Sequence, residues 1–216
     1  MSLILAIESS TPRASLALLR DSEVVFEGSF ESDRNHNAML FEPLRWSLAE
    51  LGGEPLDLVL IGTGPGSYSG TRVGIAAGQG VAMIHACPAI GLSSLLALGV
   101  NEGTVVGDAR RGSAWLAELG DGLPQPEVVA TKALGRRLKS VEKVFALEEI
   151  ESLRLPNRIT VHHRVPTAVR LARAWLGLSN ELRDFLHEIP PQPAYLKPPH
   201  ITEAKKGHPL LRPGGK

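Results

Sequence analysis

Leu56-Asp57-Leu58-Val59-Leu60-Ile61-Gly62-Thr63-Gly64-Pro65-Gly66-Ser67-Tyr68-Ser69-Gly70-Thr71-Arg72-Val73-Gly74 is the stretch on which the fold turns. Its opening is a compact apolar run of the kind that fills a strand buried on both faces. Glycine and proline then mark a loop to Gly70, and a helix is expected from Thr71 to about Ala86. Strand, glycine-rich loop and helix in that order belong to an α/β protein. From Leu58 to Asn101 there is no Asp or Glu, and Arg72 is the only formal charge. A segment so poor in charge has to be enclosed on most sides.

The loop sits where phosphates often bind, yet it holds no Lys, which rules out a Walker loop. The dinucleotide pattern would need Gly at Ser67 or Ser69 and an acidic residue about 20 positions on, and it has neither. Gly64, Pro65, Gly66 and Ser67 therefore read as a structural turn. In the helix, Gly70, Gly74 and Gly78 fall on one stripe, with Gly80 nearby. Each glycine costs on the order of 1 kcal/mol relative to alanine, so the stripe implies close approach of another backbone. That neighbour belongs either to this chain or to a partner.

Upstream, Leu3–Ile7, Ala14–Leu19 and Val24–Phe30 read as a three-stranded meander whose first turn is the polar Glu8–Arg13. A helix over residues 37–51 is ended by Gly52-Gly53. Leu40, Phe41, Leu44, Leu48 and Leu51 are expected on its inner face, Met39 and Trp46 on its outer face, and Pro43 near its first turn. Large apolar residues facing outward mark interfaces, which favours a partner. Downstream, Thr104–Asp108, a turn and Ser113–Leu119 repeat the opening plan of strand, acidic residue, polar turn and strand, as in a duplicated lobe. Helices are expected over 167–176 and 181–187. The division predicted is a first lobe over 1–101, a reduced second lobe over 102–196 and a tail over 197–216. From Pro190 on, the last 27 residues hold seven of the 16 prolines, and five Lys/Arg against one Glu.

The composition narrows the function. With 216 residues, 43% hydrophobic and 21% charged, the chain is globular rather than disordered. Lys+Arg and Asp+Glu both number 23, so no basic excess supports autonomous nucleic-acid binding. A single cysteine, Cys87, excludes an internal disulfide and suits a reducing compartment. No signal or membrane-spanning segment is read, and a cytoplasmic protein is expected. No histidine pair is spaced i, i+4, so no metal site is expected. Glu8 and Asp108, each closing a strand at a polar turn, are either cleft-facing carboxylates for a metal–nucleotide, with Ser9 and Ser10 beside Glu8, or turn caps.

Leu5-Ala6-Ile7-Glu8-Ser9-Ser10-Thr11, Arg34-x-His36, Leu40-Phe41-Glu42-Pro43 and above all Gly64-Pro65-Gly66-Ser67-Tyr68-Ser69-Gly70-Thr71-Arg72-Val73-Gly74 resemble the bacterial TsaB (YeaZ) family. Gly91-Leu92-Ser93-Ser94-Leu95, Asp108-Ala109-Arg110-Arg111-Gly112 and Pro193-Ala194-Tyr195-Leu196-Lys197 follow in the same order. The likeness is strong over residues 3–115, thin over 120–190, and returns near Tyr195. It implies an actin/Hsp70/sugar-kinase-like fold of two lobes, each a mixed sheet with flanking helices. It implies a non-catalytic scaffold in the making of threonylcarbamoyladenosine next to the tRNA anticodon. The catalytic partner would be the paralogue TsaD, with the ATPase TsaE as a third component and a homodimer when the chain is alone. Transfer RNA would be met only through the complex, and no membrane. The family's older label is a glycoprotease of the M22 class. No tightly bound cofactor is implied, with ATP or ADP and magnesium confined to the complex interface. Met39, Pro43, Trp46, Gly70, Arg72, Gly74, Ala77 and Gly78 would form the partner face, and Gly74→Leu would break the complex while leaving the monomer folded. Arg72 is expected to tie down the loop rather than pair across the seam. The sequence departs from the family in three places: Glu8 stands for the usual Asp, Asn37 follows His36, and the second lobe is short. The competing readings are a small actin-fold ATPase or kinase using Glu8 and Asp108, and an M22-like peptidase.

Overall fold

The computed structural model describes residues 2–31 and 36–197. Arg34, the side chains of His36 and Asn37, and the tail from residue 198 lie outside the described residues.

β1 (Leu3–Glu8) is the centre of the first sheet, whose order is β3-β2-β1-β4-β5. It pairs antiparallel with β2 (Arg13–Arg20), which pairs antiparallel with β3 (Glu23–Glu31). On its other side it pairs parallel with β4 (Leu58–Gly62), and β4 with β5 (Ala89–Leu92). The two-residue side-chain period sorts the central strands into two cores. Ile4 and Ala6 of β1, Ala17 and Leu19 of β2, and Leu58 and Leu60 of β4 point to one face. Leu5, Ile7, Leu16, Leu18, Val59 and Ile61 point to the other. The continuous apolar runs are therefore strands covered on both sides.

The cover on the second face is α1 (His36–Ala49) and α2 (Tyr68–His85). The cover on the first face comes from far along the chain: α4 (Ala168–Gly177) and α5 (Asn180–His187). Ala168, Leu171, Ala172, Trp175 and Leu186 complete the core around Ile4 and Leu60. Residues 168–187, which the expected division assigns to the second lobe, pack on the first sheet. The first sheet lacks a lid on one face until residues 168–187 return to it, because no other described apolar helix is left to cover it.

The second sheet has the order β10-β9-β6-β7-β8, built from β6 (Gly103–Asp108), β7 (Ser113–Leu119), β8 (Glu127–Ala130), β9 (Val144–Ala146) and β10 (Val161–His163). Two antiparallel pairs and two parallel pairs repeat the first sheet's plan strand for strand. The duplication read from Glu8 and Asp108 is thus carried by the topology. The copy is reduced: α3 (Thr131–Arg137) stands for α1, and a 3₁₀ turn at Glu151–Leu153 stands for α2. One face of this sheet packs on Leu134, Leu138 and Leu153. The other packs on Leu95 and Leu98 from the 3₁₀ turn after β5, and on Leu196, so a shared core joins the lobes.

Candidate functional site

The glycine-rich loop is fastened at both ends by the chain itself. Ser67 N donates to Ser10 O at 2.5 Å. Gly64 N donates to Ser94 Oγ at 3.0 Å, and Ser94 N to Gly64 O at 2.9 Å. A Cβ on Gly66 would lie 2.0 Å from Ser10 O, so only glycine lets the loop meet the β1–β2 turn this closely. Ser67 caps α2, its Oγ accepting from Gly70 N at 3.2 Å. The Gly64–Ser67 motif is thus a joint between β1, β4 and α2, as the structural-turn reading expects.

The glycine stripe faces inward. A Cβ on Gly74 would lie 2.3 Å from Ser9 Oγ, and one on Gly78 would lie 2.6 Å from Ile61 Cδ1. Gly70 is buried, and its carbonyl accepts from Ser9 Oγ at 2.9 Å. The partner role expected for Gly70, Gly74 and Gly78 is corrected: the backbone they approach is β1 and β4 of the same chain. Ala77 is half-buried on the same inner core. Gly74→Leu would therefore damage the monomer, not just a seam. Pro43 is buried too, against the Gly28 position of β3, while Phe41, expected inside, is 56% exposed.

The outward faces of the two adjacent helices carry large apolar side chains among the charged Glu42, Arg45 and Arg72. Met39 and Trp46 on α1 are exposed as expected, at 41% and 50%. On α2, Arg72, Ala76, Gly80 and Met83 line the solvent side at helical spacing. Met83 and Ile84 are more than four-fifths exposed and Tyr68 is 62% exposed. These three were missed in the sequence, although the stripe through residues 72, 76, 80 and 83 could have been found by turning the helical period outward. Arg72 donates to Tyr68 Oη at 2.8 Å and lies over the Tyr68 ring, so it holds the first residue of its own helix.

A cleft of about 740 Å³ runs between the lobes, lined by Ser10, Gly66, Tyr68, Asp108 and Trp115. The segment 193–197 crosses it. Ala194 N donates to Thr63 O at 2.9 Å, the Tyr195 ring meets Tyr68 at 5.8 Å, and Lys197 Nζ donates to Arg110 O at 3.0 Å. Of the four residues weighed as nucleotide-facing, Ser10 and Asp108 reach this cleft. Glu8 and Ser9 are buried behind it, which corrects that reading for both. Glu8 Oε1 accepts from Ser10 N at 2.7 Å. Its Oε2 fills the space left by Gly62, where a Cβ would lie 2.0 Å away. Glu8 Oε2 and Ser10 Oγ are buried without a hydrogen-bond partner of good geometry. Burial pushes the Glu8 carboxyl above its ordinary range, and the hydroxyls of Ser10 and Ser94 only partly offset this. Asp108 is spent differently: Oδ1 accepts from Arg110 N at 2.6 Å, and Oδ2 from Ser152 Oγ at 3.0 Å and Arg110 Nη1 at 3.2 Å. One carboxyl is sealed and the other is a satisfied turn cap, so these residues do not fit a metal–nucleotide. Among the described residues no group of three His, Cys, Asp or Glu is placed to hold a metal, and no helix is long and apolar enough to cross a membrane.

The family model described as TsaD, tRNA N6-adenosine threonylcarbamoyltransferase, matches residues 31–186. A Bacillus subtilis protein named tRNA threonylcarbamoyladenosine biosynthesis protein TsaB is 32% identical over 52% of this chain and 52% of its own length. The Escherichia coli protein of the same name is 32% identical over 53% of this chain and 54% of its own length. An uncharacterized Mycobacterium bovis protein is 32% identical over 57% of this chain and 62% of its own. The chain thus spans about half to three-fifths of the length of the curated relatives it matches. A solved structure titled YeaZ from Pseudomonas aeruginosa superposes with a TM-score of 0.64 at 23% identity, over 91% of this chain and all of that one, so the two share a fold. With more than half of its residues matched, the chain belongs to the threonylcarbamoyltransferase family of that model, in its TsaB (YeaZ) branch.

Proposed function

We propose that this chain is a non-catalytic subunit in the making of threonylcarbamoyladenosine on tRNA, and that it binds the catalytic TsaD-type paralogue through the outward faces of α1 and α2. The observation that carries the proposal is the set of uncovered large apolar side chains on two adjacent helices, with Met83 and Ile84 the most exposed and Trp46 half exposed. Water-facing side chains of this size are costly unless something covers them, and Trp and Met are enriched where partners meet. An accessory rather than catalytic role is supported by the carboxylates: Glu8 has no path to the cleft, and Asp108 is held by its own turn. The same face pairs with a second copy when the paralogue is absent. Transfer RNA and a TsaE-type ATPase join at the level of the complex.

The test is co-elution with the TsaD-type protein of the same organism, using Trp46→Asp and the pair Met83→Asp/Ile84→Asp. These side chains are at least half exposed, so each variant should fold with stability near wild type. Loss of the co-eluting peak with unchanged circular dichroism is the expected result. A complex that survives both variants overturns the proposal.

A further inference from the structure

Net charge zero conceals an uneven distribution. The first 101 residues hold ten Asp/Glu against five Lys/Arg, so the basic residues gather in the second half. Contacts along the second lobe bring several of them together. Lys197 Nζ sits on Arg110 O, and Thr131 N at the head of α3 donates to Gly112 O beside Arg111. Arg158 donates to Gly135 O within α3, and a Cβ placed on Gly135 would lie 3.1 Å from Pro156 Cγ. One continuous rim of the second lobe therefore carries Lys197, Arg110, Arg111, Lys132, Arg136 and Arg158. All except Lys197, which is half-buried, are exposed.

Among the described residues, Arg111, Lys132 and Arg136 have no carboxylate partner, while Asp108 pairs with Arg110 and Glu127 with Arg137. Arg110 and Arg111 stand at the tip of the β6–β7 hairpin in the left-handed region, with φ of 62° and 54°. Residues with a Cβ avoid that region, and Asn-Gly is the usual choice at such a tip. Arg110 is held there by Asp108, which accepts from its N at 2.6 Å and its Nη1 at 3.2 Å, whereas Arg111 is exposed and pairs with no carboxylate among the described residues. The chain leaves the described structure at Lys197, on this rim, and its last 19 residues add four Lys/Arg against one Glu.

We infer that this rim is a phosphate-backbone contact: within the complex proposed above, on which the inference rests, the second lobe of this subunit touches the RNA. Side chains of this kind position a polyanion without reading its bases. Six cations on one edge are too few to hold RNA alone at physiological salt, which agrees with the balanced charge of the whole chain.

The experiment titrates unmodified tRNA against the assembled complex at several salt concentrations from about 50 to 200 mM. Two variants are compared with wild type: Arg111→Glu/Lys132→Glu/Arg136→Glu, and Arg111→Gly. The triple variant should bind at least about tenfold more weakly, with the slope of log affinity against log salt reduced by about 2 to 3, near 0.9 per lost phosphate contact. Arg111→Gly relieves the strained backbone, so its Tm should equal or exceed wild type while the slope falls by about 1. Unchanged affinity and slope in an intact complex overturn the inference. So does loss of the protein partner on charge reversal, which would make the rim a contact for an acidic protein surface. A wild-type chain that never joins the paralogue refutes the proposed function instead. In that case the same titration on the chain alone at the lowest salt still decides the inference by whether the variants bind more weakly.

Discussion

Two glycines on one helix, Gly78 and Gly80, should respond to the same substitution with opposite signs. Alanine in a helix interior is favoured over glycine by about 1 kcal/mol through backbone entropy. At Gly80 nothing lies within 4 Å of the added Cβ, so Gly80→Ala should keep the whole gain. At Gly78 the new carbon would stand 2.6 Å from Ile61 Cδ1, 2.7 Å from Ile61 Cγ1 and 3.3 Å from Val59 Cγ1. Contact distances for carbon are about 3.5–4.0 Å, so helix and strand must part by roughly 1 Å or Ile61 must leave its rotamer. Ile61 and Val59 are fully buried on a central strand and have nowhere to go. Overpacking of this kind costs about 1–3 kcal/mol, which exceeds the entropic gain. The shared entropic gain cancels, so the two variants should differ by the overpacking cost, about 1–3 kcal/mol in urea denaturation or roughly 2–12 °C in Tm, with wild type between them. If Gly78→Ala proves as stable as Gly80→Ala, α2 does not sit on β4 as described, and the inward assignment of the stripe fails with it.

Glu8→Gln should change how stability depends on pH. The folded carboxyl holds its proton above the ordinary pKa of 4.5, so as pH rises past that value the unfolded chain releases a proton that the folded chain keeps, and wild type loses stability. The variant should lie close to wild type at pH 4 and be the more stable of the two at pH 7. Denaturation curves at both pH values check the sign, and the opposite trend refutes it. Trp175→Ala should cost about 3–5 kcal/mol, because Trp175 is buried in the core that covers β1 and β4. Hydrogen exchange should then lose protection in β1 and β4 rather than in β6. Protection lost chiefly in the second sheet would show that 168–187 does not belong to the first lobe.

The strand runs, the loop between β4 and α2, and the repeat of strand, carboxylate and turn were all legible in the sequence, because each rests on local periodicity or local turn chemistry. The resemblance to the TsaB family was legible for the same reason: its motif loop is a joint whose residues are dictated by contacts within a few ångströms, such as Gly66 against Ser10. Orientation was not legible. A glycine stripe announces close approach but does not say by which backbone, and only the assembled sheet shows it to be β1 and β4 rather than a partner. Likewise, Phe41 and Pro43 lie two positions apart on α1, and the helical period alone did not say that Pro43 is covered and Phe41 is left outside. The fate of two carboxylates on matching turns was also decided in three dimensions: Glu8 lies in the space Gly62 leaves, and Asp108 beside Arg110 and Ser152. Local sequence fixes which residues can form an element. Which face that element buries depends on surfaces brought together from more than 100 residues away, as when Ala168 N donates to Ser15 Oγ across the first lobe.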